Sequence, residues 1–220
     1  MGYQFRWSVV FDNWQGFLMG AWIDVWITLV GFVLACVLGL GIALLRLSGT
    51  RALSVSAFAS VQVFRGVPLY VMLLWVYFGV SRLLHLNFSN VQAVVIALAL
   101  TGAGYTSEIF RAAIGAIDRG QLEAARAVGM HSVSVYRHIV LPQAFRIAVP
   151  PLGNVFVGLL KGATIMAVLA VPDMVLLAMH LNTTYFTPFE AFTAVLVILV
   201  CLVLVASGLL AVLERKLQLP

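Results

Sequence analysis

Charged residues fall along this chain in clumps, and the apolar stretches between the clumps are long enough to cross a bilayer. Ile27–Leu45 carries no charge at all, and a hydrocarbon core of about 30 Å needs only about 20 such residues in a helix. The pattern predicts five spans. The first runs over Trp22–Leu45 and the second over Ala52–Val80. The second is interrupted at Phe64-Arg65-Gly66-Val67-Pro68, where the missing donor of Pro68 and the loose backbone of Gly66 predict a kink. A polar loop, Ser81–Asn90, leads to the third span, Val91–Ile117. Pro151–Val171 and Ala191–Leu213 form the fourth and fifth. Lipid leaves a backbone only internal hydrogen-bond partners, so an all-α fold without strands is expected. Residues 1–21 place Trp7, Phe11, Trp14 and Phe17 at helical spacing among polar neighbours, which predicts an interfacial segment. Residues 22–217 then make one transmembrane domain.

Composition agrees with this pattern. Of the 220 residues 63% are hydrophobic and 10% charged, with mean hydropathy +1.07, where soluble domains are near half apolar and a quarter charged. The net charge of +5 does not imply a nucleic-acid partner. The basic residues sit between spans, where they orient the chain and meet anionic lipid, and they form no stripe interleaved with stacking aromatics. Residues Met1–Arg6 lack a basic region followed by an apolar run and a small-residue cleavage site, so no cleaved leader is expected. Cys36 and Cys201 are isolated in apolar segments, and neither a disulfide nor a metal site is expected.

The basic residues also give an orientation. With five spans, Arg46, Arg51, Arg111, Arg119, Arg126, Arg137, Arg146, Arg215 and Lys216 share one side, and only Arg6 and Arg82 the other. The positive side is cytoplasmic, which puts the N-terminus outside and the C-terminus inside.

Residues 118–146 are too polar to span. Gln121–Val128 is rich in helix formers, with Glu123 in its expected first turn and Gly129 to close it. Ser132 is the expected cap of a second short helix that stops at Pro142. Two short helices and a tight turn would thus project from the membrane.

Within this loop, Glu123-Ala124-Ala125, Gly129 and Ile139-x-Leu141-Pro142 resemble, at matching spacing, the EAA loop of permease subunits of bacterial ABC importers. Phe64–Leu69, Tyr105–Arg111 and Pro150–Asn154 are similar to the branch that takes up polar amino acids. The resemblance covers roughly residues 20–215. It implies the type I importer permease fold in a bacterial cytoplasmic (inner) membrane. It also implies alternating access around a midplane site for a polar amino acid or small zwitterion. Glu123, Ala124, Ala125, Gly129, Ile139, Leu141 and Pro142 would couple the chain to its motor. Small Ala124 and Ala125 let a helix seat in a partner cleft, and Glu123 offers a charged anchor. No GxxxxGK[ST] sequence is present to cradle phosphates, so the chain is not expected to be an enzyme or to hold a cofactor. ATP and Mg would bind two partner ATPase subunits. A second permease, identical or paralogous, and a periplasmic or lipid-anchored binding protein complete the implied assembly.

Charges at membrane depth are costly and mark functional candidates. Arg65 and Glu108 fall at similar depths on adjacent spans, which predicts an ion pair, with Arg111 as an alternative partner one turn from Glu108. Lys161 is expected to snorkel to the cytoplasmic interface from early in the fourth span. Asp173 would start a helix or line the path, and Asp24 would be interfacial. Met72, Trp75 and Thr164 are the expected path lining. The family pattern R-G-T-P-L-x-x-Q-L has Val67 for Thr and Met72 for Gln here. The usual Asp-[ST]-[ST] after the lysine is Gly162-Ala163-Thr164. A less polar or zwitterionic substrate, or a non-binding half of a heterodimer, would account for both. The four histidines are scattered in loops without HExxH or G-x-S-x-G, which disfavours an intramembrane enzyme. The absence of internal repeats disfavours a stand-alone carrier.

Overall fold

The computed structural model describes residues 3–217, and among these every regular element is a helix. They are α1 (Ser8–Asp12), α2 (Trp14–Arg46), α3 (Arg51–Gly66), α4 (Leu69–Leu83), α5 (Asn90–Gly115), α6 (Arg119–Ala127), α7 (Ser132–Leu169), α8 (Met174–Tyr185) and α9 (Pro188–Leu217). Helices α2, α5, α7 and α9 are each long and apolar enough to cross a bilayer. The pair α3 and α4 is long and apolar enough only when taken together, as a fifth candidate span bent by 108°. The expected kink is therefore a break. Val67 is extended (φ −86°, ψ 126°), as the ring of a following proline requires of the residue before it.

Two boundaries differ from the sequence pattern. Helix α2 starts at Trp14 rather than Trp22, and Phe17 on its first turns is buried with Met174, Ala178 and Ala191 of α8 and α9. The second loop helix does not stop at Pro142 but continues through it as α7. A wider π-helical turn over Tyr136–Val140 ends two residues before Pro142. In a regular α-helix the proline ring would meet the carbonyl four residues back, and the widened turn relieves that clash.

Helix α5 is the centre of the bundle, packed by α2, α3, α4 and α7. Its middle is buried nearly all round because its side chains there are small: Ala97, Ala99, Gly102, Ala103, Gly104, Thr106 and Ser107. Small residues let helices touch backbone to backbone where no hydrophobic force drives them together. A Cβ on Gly39 would lie 2.0 Å from Thr106 Oγ1, and that hydroxyl donates to the Ala35 carbonyl at 2.8 Å. A Cβ on Gly102 would lie 2.6 Å from that of Ala35. At one end of the bundle, Asn90 donates its amide to the Leu169 carbonyl at the end of α7. The N-terminal segment is pinned there too. The Tyr3 hydroxyl and the Arg6 backbone N–H donate to the buried Glu190, and the Arg6 guanidinium donates to the Tyr185 carbonyl.

Candidate functional site: a loop knob joined to a polar groove

The knob is α6 with the start of α7. Asp118, not Glu123, stands at the head of α6, accepting from the Gln121 N–H at 3.2 Å. The helix therefore begins at Arg119, and Glu123 lies on its second turn. Gly129 (φ +84°) closes it. The Met130 N–H returns to the Ala125 carbonyl and the Gly129 N–H to that of Arg126, both at 3.0 Å, the paired pattern of a left-handed helix end. His131 rather than Ser132 occupies the cap of α7, with no side-chain hydrogen bond.

Ala125 does not wait for a partner. It is buried with Ile117, Val135 and Val140, and Leu122 and Ile139 flank this cluster, which fixes α6 against α7. Gln143 clamps the pair, donating to Gln121 Oε1 at 2.8 Å and to the Ile139 carbonyl at 2.9 Å. What remains outward is Glu123, Ala124, Leu141 and Pro142. Beside them Val128 and Val133 are 78% and 79% exposed. Nothing in the sequence pattern singled out these two valines. Apolar exposure of this degree on a rigid, polar-rimmed surface is what a protein contact looks like.

The groove has a volume of about 610 Å³ and runs between the break in α3–α4 and the middle of α7. Arg65 through Leu69 form one wall, Thr101 and Tyr105 the floor, and Asn154, Gly158 and Gly162 the other wall. On α7 the residues Asn154, Gly158 and Lys161 are all exposed and fall at i, i+4 and i+7, one face of the helix. That spacing of small and polar residues in an apolar span was the available signal for the groove.

Several expected contacts change. Arg65 and Glu108 do not pair. Glu108 is held instead by Arg46 of α2 and by Arg111, whose guanidinium is 2.9 Å away. The Arg65 guanidinium lies 5.2 Å from the ring centroid of Tyr105. Lys161 is about two turns from Leu169 and about eight from Ser132 at 3.6 residues per turn, so it is far from the arginine-rich end and cannot snorkel there. Asp24 is not interfacial but fully buried, and neither carboxylate oxygen has a hydrogen-bond partner. Asp173 caps α8, accepting from the Leu176 N–H at 2.7 Å. Burial pushes its carboxyl up to about 6. Met72 is buried in the main core, Trp75 is exposed on α4, and the Thr164 hydroxyl donates to the Lys161 carbonyl at 2.9 Å. Gly102 and Gly104 are used within the chain, against Ala35 and Arg65, whereas Gly158 faces open space.

The chain has counterparts among known proteins. Residues 31–219 match the family described as the binding-protein-dependent transport system inner membrane component. The chain belongs to that family. It is a permease of the amino-acid ABC transporter group, built of membrane-spanning helices. It is 32% identical over 216 residues to the probable amino-acid permease protein YxeN of Bacillus subtilis, covering 97% of this chain and 96% of the relative. It is 35% identical over 198 residues to HisM of Escherichia coli, a histidine/lysine/arginine/ornithine transport system permease protein, covering 85% and 83% of the two chains. Among solved structures, an amino acid ABC transporter crystallised with histidines superposes with TM-score 0.89 at 31% identity, over 98% of this permease and 100% of that chain. An inward-facing MetNI methionine transporter shares the fold, with TM-score 0.81 at 20% identity over 94% and 99% of the two chains.

Proposed function

We propose that this permease forms one wall of a transmembrane path for a polar amino acid or related small zwitterion, driven by ATP that a separate subunit hydrolyses. The observation that carries the reading is the continuity of α7. A single helix bears Leu141 and Pro142 of the knob at one end and Asn154, Gly158 and Lys161 of the groove further along. A displacement of the knob is therefore transmitted to the groove wall without an intervening hinge loop. Rocking of rigid helices around a fixed site is the physical content of alternating access.

In this reading the arginine-rich end is cytoplasmic, and Glu123, Ala124, Val128 and Val133 face one of two ATPase subunits. That subunit supplies the ATP and Mg chemistry. A second permease, identical or paralogous, covers the exposed stripe of α7, because one groove open along its length encloses nothing. A periplasmic or lipid-anchored binding protein delivers substrate at the opposite end, and the assembly sits in the bacterial inner membrane. The histidine-crystallised transporter and the named relatives support amino acids as the cargo class.

The test is reconstitution with the cognate ATPase, partner permease and binding protein. Glu123→Lys should leave the permease inserted and folded while abolishing co-purification of the ATPase or amino-acid-stimulated ATP hydrolysis. Normal stimulation in that variant would remove the coupling role from the knob.

A further inference from the structure

A second cleft lies on the other side of α7 from the groove. It has a volume of about 430 Å³ between α2, α5, α7 and α9, and no charged, hydroxyl or amide side chain lines it. Phe145, Val149, Leu152 and Phe156 make its α7 wall, at i, i+4, i+7 and i+11, one stripe of the helix. Phe156 is two residues from both Asn154 and Gly158, which at 3.6 residues per turn is roughly 160° around α7. The cleft therefore faces away from the stripe assigned above to the path and the second permease.

Its walls are anchored in the core. Leu152 also belongs to the buried cluster of Ala113, Ala144 and Ala148, against which Phe32, Cys36 and Phe110 of the lining pack. The rings of Phe32 and Phe156 meet edge to face, with centroids 5.4 Å apart, and join α2 to α7. A Cβ on Gly153 would lie 2.4 Å from Leu210 Cδ2, so the glycine lets α9 come close. The side of the cleft is open, with Phe145 60% and Leu213 44% exposed. From Phe145 to Phe156 the wall runs about 16 Å at 1.5 Å per residue. That is half of a hydrocarbon core about 30 Å thick, the depth of one leaflet.

The cleft ends where basic residues begin. Arg146 follows Phe145, Lys216 is one turn beyond Leu213, and both are exposed. Measured from the contact of Gly153 with Leu210 along the antiparallel α7 and α9, they lie about 10 Å and 9 Å toward the knob end, at one depth. With Arg215 they set three cations against the single carboxylate of Glu214. Among the described residues none of these four takes part in an ion pair, whereas Arg111, beside the lining Phe110, is already held by Glu108. Basic residues at the mouth of an apolar cleft between spans suit an acidic headgroup, and a guanidinium fork matches phosphate geometry.

We infer that this cleft binds one anionic phospholipid from the leaflet at the arginine-rich end. An acyl chain lies along Phe145–Phe156, and the phosphate sits at Arg146 and Lys216. Water has no hydrogen-bond partner in the cleft, and its open side faces the bilayer, so a lipid chain fills it. A zwitterionic lipid would fill it equally but leave the surplus of cations unmatched. The site is separate from the transport path and does not depend on the transport reading.

The test is native mass spectrometry of the full chain, and of the complete complex, released from detergent with equal amounts of phosphatidylglycerol and phosphatidylcholine of identical chains. One phosphatidylglycerol per chain should be retained in at least fivefold preference. The double variant Arg146→Gln, Lys216→Gln should retain the two lipids equally. Arg51→Gln, an exposed arginine at the same end on α3, should keep the preference. Cys36→Phe fills the cleft and should lose the bound lipid, whereas Cys201→Phe, on an exposed position outside it, should not. Melting of each variant in lipid-free detergent checks that it folds, and the charge variants decide alone if Cys36→Phe does not. Equal retention of both lipids by the parent, an unchanged preference in the double variant, or an equal loss in Arg51→Gln overturns the site. Displacement by free glycerol phosphate would mean a headgroup site without a chain and overturns the lipid. Retention by the chain but not by the complex would mean that protein covers the cleft, which overturns it as well.

Discussion

The guanidinium of Arg65 sits 5.2 Å above the ring centroid of Tyr105, and this contact, not an ion pair, sets its direction. Tyr105 and Glu108 are neighbours one turn apart on α5, so the depth of Arg65 was readable from residue numbers at 1.5 Å per residue. Its azimuth was not. Tyr105 faces the groove, whereas Glu108 points toward α2. Tyr105→Phe keeps the ring face and should melt within about a degree of the parent protein. Tyr105→Leu removes an attraction of about 0.5–1 kcal/mol, for a fall of ~1–4 °C at this chain size. Melting in detergent, followed by tryptophan fluorescence, distinguishes the two.

Glu108 ties α2 to α5 at the arginine-rich end. Glu108→Gln leaves Arg46 and Arg111 without their anion, and hydrogen bonds to charged groups contribute about 1.5–3 kcal/mol each. Half-exposed Arg111 retains water as a partner, so the expected loss is at the low end, about 2 kcal/mol in all, or roughly 4–8 °C. Arg65→Gln should leave this contact untouched. An equal loss in both variants would revive the Arg65–Glu108 pairing.

The close approach of α2 and α5 predicts an asymmetry between glycines. A side chain at Gly39 must displace Thr106 Oγ1, 2.0 Å from the added Cβ, and with it the bond to Ala35. Overpacking of this kind typically costs about 1–3 kcal/mol, so Gly39→Ala should lower the melting temperature by several degrees. Gly158 has open space before it, and Gly158→Ala should not destabilise the isolated chain. If a second permease covers the α7 stripe, Gly158→Leu should instead weaken dimer recovery on size-exclusion chromatography.

These contrasts show what the sequence could and could not carry. Apolar run length located the four unbroken span candidates and the bent pair α3–α4, because each run must hold its own hydrogen bonds in lipid. Pro68 located the break, because it lacks a donor. Pro142 misled, since a π turn at Tyr136–Val140 absorbs what would otherwise end a helix, and no residue type announces such a turn. The knob was legible as a motif, yet the division of labour within it was not. Ala124 is exposed and Ala125 buried, although both are alanine. Only the rotation of α6 against Val135 and Val140 separates them. The groove was hidden for a similar reason, being assembled from α3, α4, α5 and α7 at positions distant in sequence.

The turn at Gly129 offers a test confined to the knob. A non-glycine residue at φ +84° costs about 1–2 kcal/mol, and Gly129 sits where both returning hydrogen bonds of α6 must form. Gly129→Val should leave the melting of the spans within about 2 °C of the parent protein, because the strain falls outside the central packing. Amide hydrogen exchange should rise at least tenfold over residues 119–130. Unchanged exchange there would mean that the turn holds regardless of the glycine.

Asp173 gives the clearest dependence on pH. It is 1% exposed, caps α8 through the Leu176 N–H, and has its second carboxylate oxygen unpartnered. Burial raises its carboxyl from an ordinary 3.8 to about 6, so the folded chain holds this proton more tightly than the unfolded chain does. The stabilising contribution is therefore fully present below about 3.8 and is lost as pH rises through about 6. Asp173→Asn keeps an amide oxygen for the Leu176 N–H and removes the charge. At pH 4 the variant and the parent should melt within about 2 °C of one another. At pH 8 the variant should melt higher by a few degrees, the full shift setting a ceiling of about 3 kcal/mol. Asp24 faces the same turn from α2, so the comparison is repeated on an Asp24→Asn background to isolate the slope of Asp173. Parallel melting curves from pH 4 to 8 in that background would mean that Asp173 stays charged in the fold.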